Sequence, residues 1–399
     1  MLASRSSLFP PRLQLDAFGH IITVFHGRKS LSAEEIEERY PASFINMSDL
    51  STSRYFVMNT LFNIPEICAF ADIVHFFSER EGYTELEDGT GMQAKHTLLT
   101  FRSMFHDVRG AMEHIHSRGV LQAKIMEDLD KYVQKEPQLP ILLRRISDSG
   151  KGCFLLTNSD YNYTKVIMNY LFTVDLPEGW DRDWQSYFDL IVVSARKPLF
   201  FRDGTVLREV DQETGKLKLG QYSGGSHRGR VFSGGSADII SEMLGKMGDN
   251  ILYVGDHIFG DVLKSKKLRG WKTFLIMPEL HQELRSLHAG MKYYQRLKNL
   301  EFMLAELYRG LASDATEEPD ASELKKAIDD TSKTLDRVFN HYFGSTFRSG
   351  SRQSFFAMQT SRYADLYSSS LLNLINYPLF YNFHSVALSL PHESGLWKR

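Results

Sequence analysis

Apolar residues follow two different rhythms along this chain. From Arg54 to Gln134 they recur at helical spacing, as in Phe56, Leu61 and Phe62, then Ile67, Phe70, Ala71 and Val74, then Met112 and Ile115, which predicts a mostly helical stretch. Before it, residues 14 to 30 read as a short β-hairpin, with Leu15, Ile21, Ile22, Val24 and Phe25 around the turn-like Asp16-Ala17-Phe18-Gly19. After Pro140 the pattern changes. A helix-like 141–146 leads through Gly150 and Gly152 into an apolar strand, Cys153 to Leu156. Further on come a strand over 188–193, a hairpin around Val206 to Val210 and Lys216 to Leu219, a helix over 237–244, and strands over 251–254 and 273–277. Strand alternating with helix predicts an α/β fold with a Rossmann-like parallel sheet core. From Pro278 onward the spacing is helical again, apart from the acidic, polar stretch 313–320. The expected organisation is an N-terminal hairpin and helical cap over 1–135, an α/β core over 136–277, and a C-terminal helical region over 278–399.

Composition narrows the classes. The 399 residues are 42% hydrophobic and 24% charged, enough to bury a large core, and 47 basic against 49 acidic side chains give a net charge of −2. That balance argues against a nucleic-acid partner and against an anionic membrane surface. The two cysteines, Cys68 and Cys153, lie in apolar runs and are expected to be free thiols in a reducing compartment. The segment 1–12 lacks the continuous apolar core of a secretory signal, and Leu371 to Leu388 is too broken by Asn373, Asn376, Pro378 and Asn382 to span a bilayer, so a buried helix and loop are expected there. A cytoplasmic location is the expectation.

Candidate chemistry gathers at three strand ends. Ile251-Leu252-Tyr253-Val254 delivers Gly255-Asp256 into Asp261, a GDxxxxD arrangement of hard oxygen donors suited to Mg²⁺. Thr157-Asn158-Ser159 follows the strand at 153–156, offering a hydroxyl and backbone N–H groups to a phosphate. Lys197, after the strand at 188–193, supplies a point charge for a transferred phosphoryl group. Each signal alone has a plainer explanation, as a cap, a solvated lysine or a structural aspartate; their common position at strand ends points to phosphoryl chemistry. Ser223-Gly224-Gly225-Ser226 and Ser233-Gly234-Gly235-Ser236 lack the GxxxxGK[ST] order of a phosphate loop, and Ser236 more simply caps the helix after it. Gly89-Thr90-Gly91 is expected to be a loop.

Longer stretches carry a resemblance: 59–63 (Asn59 to Asn63), Phe101 to Arg109, Thr157 to Tyr161, Trp184 to Leu190, Ala195 to Phe201, Tyr253 to Asp261 and Phe347 to Gln353. Over roughly residues 13 to 393 the chain resembles the haloacid dehalogenase superfamily, and within it the cytosolic purine 5'-nucleotidases that favour IMP and GMP. The resemblance implies a sheet core of that type, Mg²⁺-dependent hydrolysis of purine nucleoside 5'-monophosphates, and a homotetramer. It implies substrate contacts at Phe62, which would stack on the purine, and at Arg109, Glu113, His116, Thr157, Asn158, Ser159 and Lys197. The metal would sit on Asp256 and Asp261. An ATP-like effector would meet Asn59, Phe259, Lys267, Gln359 and Arg362. For Phe62 the plainer alternative is a core residue, and for His116 a satisfied helix histidine.

One part of that pattern is missing. Such enzymes open the reaction with an Asp carboxylate from an Asp-x-Asp motif at the end of an early strand. Here the Asp-x-Asp pairs are Asp128/Asp130, in a helical run, and Asp181/Asp183, in a loop, and neither follows a strand; Asp49-Leu50-Ser51-Thr52 has one carboxylate and no apolar run before it. The missing segment would also supply a central strand between those ending at Thr157 and Asp256. The expectation is that it belongs to a longer reading frame, the alternative being that another segment patches the sheet. Functionally the rival to a nucleotidase is a catalytically silent form that binds nucleotide or modulates full-length subunits.

Overall fold

A computed structural model of the chain describes residues 2–4, 11–16, 18–46, 55–58, 60–174, 180, 183–342 and 344–385. The N-terminal strands β1 (Leu2–Ser4), β2 (Pro11–Leu15), β3 (Ile21–His26), β4 (Lys29–Ser30) and β5 (Tyr55–Val57) form an antiparallel sheet in the order β4-β3-β2-β1-β5, and helix α1 (Ala33–Arg39) lies between β4 and β5 in sequence. The anticipated hairpin is β2 with β3. Its turn is held by Asp16, whose Oδ1 accepts from the backbone N–H groups of Phe18, Gly19 and His20 at 2.9, 3.0 and 3.0 Å.

Helices α2 (Ile64–Glu79) and α3 (Phe101–Ser117) follow, packed through Ile67, Phe70 and Val74 against Phe101, Met104, Phe105 and Val108. By length and apolarity 61–79 could cross a membrane; here its apolar residues meet α3. The stretch is mostly helical as expected, but between the two helices it holds strands that the spacing did not predict. Strands β6 (Thr84–Glu85), β7 (Gly91–Ala94) and β8 (Thr97–Thr100) make a small antiparallel sheet. The physical reason lies in the glycines: Gly82 and Gly89 take φ of 84° and 64°, which end helical backbone. The expected loop is found at 89–90, and Gly91 begins β7, where a Cβ would stand 2.3 Å from the Leu99 carbonyl oxygen. Helices α4 (Val120–Glu127) and α5 (Leu129–Tyr132) complete this region.

The α/β region begins with α6 (Gln138–Asp148), β9 (Phe154–Leu156), α7 (Tyr161–Leu171), β10 (Leu190–Val193), β11 (Arg208–Glu209), β12 (Val231–Ser233) and α8 (Ala237–Leu244). Strands β9, β10 and β12 are parallel and β11 is antiparallel, in the order β11-β12-β10-β9. The expected hairpin at 206–219 reduces to one bridge, Val210 with Leu217, because β11 pairs with β12 instead. The Gly-Gly pair after β12 has a packing role: a Cβ on Gly234, at φ 78°, would lie 2.5 Å from Thr205 Oγ1. Ser236 caps α8 by accepting from the Ile239 N–H.

A second parallel sheet follows. It contains β13 (Leu252–Gly255), then α9 (Lys264–Arg269) and β14 (Lys272–Ile276). The long helices α10 (Leu280–Arg309) and α11 (Ser322–Phe339) pack on each other, and a ribbon of β15 (Arg348–Ser349) and β16 (Arg352–Gln353) leads to α12 (Phe355–Tyr363). The chain then returns as β17 (Leu366–Ser368), parallel to β14, giving the order β13-β14-β17. The C-terminal region is therefore not wholly helical. β17 spans three residues, too short for a periodicity to declare it. The expected buried helix at 371–388 is a half-buried 3₁₀ segment at Leu371–Asn376, and residues beyond 385 lie outside the described residues.

The protein is thus mixed α/β with parallel sheets and many helices. Its parallel strands fall into two sheets, and β9 and β13 are both edges. Side chains close the seam between these edges. Leu156, Leu190, Val192 and Phe232 share one core with Ile251, Tyr253 and Trp271. Phe154 on β9 stacks on Tyr253 of β13 at 6.3 Å and meets Trp271 edge-on at 6.1 Å. Trp271 is 1% exposed and also contacts Phe201. Replacing Trp271 with alanine should cost about 3–5 kcal/mol, read as a lower urea midpoint at unchanged m-value. A loss below about 1 kcal/mol would mean that this packing does not join the sheets.

Candidate functional site

The site is built where β9, β10 and β13 end. Asp261, buried in a π-helical turn at Ile258–Leu263, is its hub. Its Oδ1 accepts from Lys197 Nζ at 2.8 Å and from the Tyr253 hydroxyl at 3.2 Å, and its Oδ2 accepts from the His257 N–H at 3.2 Å. Lys197 Nζ also donates to the Tyr253 oxygen at 2.9 Å. The ammonium, which follows β10, therefore reaches across β9 to the other sheet. Its own main chain is fixed by Asn158: the Lys197 N–H donates to Asn158 Oδ1 at 2.6 Å, and Asn158 Nδ2 donates to the Lys197 carbonyl at 3.0 Å.

Gly255 makes Asp261's position sterically accessible. A Cβ there would stand 2.5 Å from the Asp261 Cβ, so a glycine is required before Asp256 for the turn to fold back on the strand. Asp256 differs from Asp261. It is exposed by surface area, yet the surrounding protein desolvates its carboxyl and pushes it above the usual carboxylate range; the charge of Asp261 adds to this, while Lys197 and His257 partly offset it. Tyr253 is pushed well up by burial first and by Asp261 second, which keeps its phenol protonated as a donor.

Thr157, at the end of β9, spends its Oγ1 on the Ser159 N–H at 3.1 Å, and Asp160 caps α7 by accepting from the Tyr163 N–H at 2.9 Å. The Ser159 N–H, one of the backbone donors expected to face a phosphate, is thus already occupied. The Thr157 hydroxyl proton remains available, and Asn158 links this turn to Lys197.

Among the described residues no group of three or more His, Cys, Asp or Glu side chains is placed to hold a metal. Mg²⁺ commonly uses only one or two protein carboxylates beside waters and phosphate oxygens. Asp256 fits that role, as a hard oxygen donor whose carboxylate takes only its own backbone N–H and whose ionised form a cation would favour. Asp261, with three hydrogen bonds already made, fits better as the group that orients Lys197 and the 257–263 turn.

The residues expected to contact a base divide between Phe62, which meets the strand-end site through His257, and a separate network around Arg109. Phe62 is 55% exposed, not a core residue, and stacks on His257 at 5.6 Å and 12°. His257 Nδ1 accepts from the Phe259 and Gly260 N–H groups at 3.1 and 2.9 Å, so a neutral ring carries its proton on Nε2. Arg109 donates to both oxygens of Glu66, which is 2% exposed, at 3.2 and 3.1 Å, donates to Glu113 at 3.2 Å, and lies over Phe56. Asn63, next to Phe62, joins this network through Glu66 at 3.2 Å. His116 is exposed and turns Nδ1 back to the Met112 carbonyl at 2.7 Å, outside the network.

The candidate effector residues gather around Tyr363: Lys267 and Arg362 lie 5.0 and 5.5 Å from its ring, and Phe259 packs in the same cluster. Gln359 is buried one turn before Arg362, and Asn59 lies outside the described residues. Asp128 and Asp183 are helix caps and Asp130 accepts from the Tyr170 hydroxyl, so none reaches the strand ends; Asp49 and Asp181 lie outside the described residues. Tyr253 and His257 were not anticipated. The signal for Tyr253 was a phenol in a buried strand, which must find a partner.

A model of the 5' nucleotidase family matches residues 9–395. The chain belongs to that family. A 5'-nucleotidase domain-containing protein of Dictyostelium discoideum is 29% identical over 377 residues, covering 94% of this chain and 60% of the relative. Human 5'-nucleotidase domain-containing protein 2 is 26% identical over 406 residues, covering 96% of this chain and 71% of its own length. This 5'-nucleotidase family member thus spans under two thirds of its Dictyostelium relative.

Three substitutions test the hub. Lys197→Met leaves buried Asp261 without a cation, with the Tyr253 hydroxyl and the His257 N–H as its remaining donors, and should cost about 3–5 kcal/mol, whereas combining it with Asp261→Asn should recover much of that loss in a double-mutant cycle. Additive losses would show that the pair is not coupled. Gly255→Ala should cost about 1–3 kcal/mol by overpacking against Asp261, and an unchanged melting temperature would contradict the close approach.

Proposed function

We propose that the strand ends form the phosphate-gripping half of a Mg²⁺-dependent 5'-nucleotidase of the haloacid dehalogenase type, acting on purine nucleoside 5'-monophosphates such as IMP and GMP. The observation that carries this reading is the convergence of Thr157, Lys197, Asp256 and Asp261 where two parallel sheets meet. Thr157 would donate its hydroxyl to a phosphate oxygen, and Lys197, held by Asn158 and Asp261, would face the charge of the phosphoryl group. Mg²⁺, held by Asp256, would neutralise phosphate oxygens. Phe62, exposed and backed by His257, is the platform for the purine, with Arg109 and Glu113 one network further out.

Hydrolysis by this chemistry breaks the bond from phosphorus to the 5' oxygen, passes the phosphoryl group to a carboxylate oxygen, and then releases phosphate by attack of water. None of the described carboxylates suits the first attack: Asp261 is tied to Lys197, and Asp256 fits the metal. The nucleophile would come from an extended segment seated between β9 and β13, outside the described residues. The same two unpaired edges favour a second reading, a nucleotide binder without turnover.

Calorimetry with IMP, with and without Mg²⁺, tests the site, and phosphate release separates the two readings. Binding should depend on Mg²⁺ and weaken at least about tenfold in Asp256→Asn. Mg²⁺-independent binding, or none, would overturn the phosphate site. Phosphate release well above that of the Asp256→Asn variant would remove the silent reading.

A further inference from the structure

A cavity of about 250 Å³ lies among α10, α11 and α12, beside the segment 345–353, and Thr157, Lys197, Asp256 and Asp261 are not in its lining. Its wall is largely apolar, from Leu284, Leu287, Leu335 and Phe339 among others. Polar side chains interrupt that wall, among them Ser345, Gln353 and Ser361, and one from each of the three helices bears on a ligand. Glu283 on α10 accepts from the Ser345 hydroxyl and is held by Thr346. Asp336 on α11 accepts from the Ser349 hydroxyl at 3.2 Å and from the Gly350 backbone. Thr360 on α12 is 1% exposed, and its hydroxyl has no hydrogen-bond partner among the described residues.

Anchoring the 345–350 loop explains the bonds that the two carboxyls make. It does not explain two half-buried acids facing one cavity with no ion pair among the described residues, nor an unpaired hydroxyl from a third helix lining the same space. Burial pushes Asp336 up to about 6 and raises Glu283 as well, with no basic side chain acting on either. Arg348 borders the cavity, but its guanidinium lies 6.0 Å from the Tyr294 ring and donates to the Ser351 carbonyl at 3.4 Å. An ionised carboxylate has about four acceptor positions, so both acids keep unused capacity after the loop is anchored. A cavity of about 150 Å³ takes up benzene, so this one has room for a single ring with a short arm.

We propose that this cavity binds a small amphipathic cation, an ammonium or amidinium on an aromatic or short aliphatic body, with the charged head at Glu283 and Asp336, the Thr360 hydroxyl as a further partner, and the body against the leucines. The site is independent of the phosphate reading, and its test needs no catalytic readout.

Three probes of one shape separate the chemistries: phenethylamine, 2-phenylethanol and phenylacetate, titrated against the full chain by ligand-observed NMR and thermal shift at neutral pH. Phenethylamine should bind in the millimolar range or tighter, and at least about tenfold more tightly than either analogue. Asp336→Asn should lose at least about tenfold of the amine's affinity, and Thr360→Val a few-fold. Phenylacetate binding as well as or better than the amine would assign the cavity to an anion on Arg348 and overturn the proposal, as would no amine binding. Should Asp336→Asn fail to fold, Ala357→Leu fills the cavity from its own wall and should abolish amine binding; retained affinity there would place the amine elsewhere.

Discussion

The ammonium of Lys197 on the buried carboxylate of Asp261 is the contact on which the site's geometry rests. It spans the two parallel sheets, and each neighbour serves it: Asn158 fixes the lysine's main chain, Tyr253 bridges the pair with its hydroxyl, and Gly255 leaves room for Asp261 to fold back. A buried ion pair gains little over apolar packing in stability, but losing one partner strands a charge in low dielectric. Its value here is positional. It holds a cation from the β10 end beside carboxylates from the β13 end, where no continuous backbone ladder fixes their spacing.

That missing ladder is the structure's other constraint. The edges β9 and β13 face a common core without a strand between them among the described residues. Unpaired backbone groups cost about 1–3 kcal/mol each when buried, and an exposed strand edge is a template for further pairing. Phe154, Tyr253, Trp271 and Phe201 fill the seam with aromatic contacts instead. Packing of this kind replaces apolar contact but donates nothing to edge N–H and C=O groups. The seam is therefore also where an added extended segment would gain most, pairing two edges at once.

The legible parts of the fold were those whose local signal matched their tertiary setting. β9, β10, β13 and β14 are short apolar runs bounded by Gly, Asn or Asp, and α8 begins at a serine cap, so periodicity and punctuation agreed. The sheet at 84–100 was hidden because its strands have two to four residues and sit between two strongly helical segments. β17 was hidden because its pairing with β14 depends on residues about ninety positions away, which no local window contains. At the site, Thr157, Lys197, Asp256 and Asp261 were legible as strand-end residues. What sequence could not supply was the difference in setting between the two aspartates, because Lys197, Tyr253 and His257 donate to Asp261 and not to Asp256.

The same logic separates phosphate grip from base choice. Phe62 is tied to the strand-end site through His257, whose ring it stacks on and whose backbone N–H donates to Asp261. Arg109 is tied instead to α2 through the buried Glu66, so its guanidinium is already neutralised and positioned before any nucleotide arrives. A purine on Phe62 would thus rest on a ring whose neighbouring backbone helps set the aspartate geometry, while Arg109 and Glu113 could meet only its outer edge. His116, bonded within its own helix turn, stands outside both networks. In the proposed site, changes at Phe62 or His257 would therefore disturb both phosphate and base contacts, whereas changes at Glu113, exposed and bonded to Arg109, would act on the base edge alone.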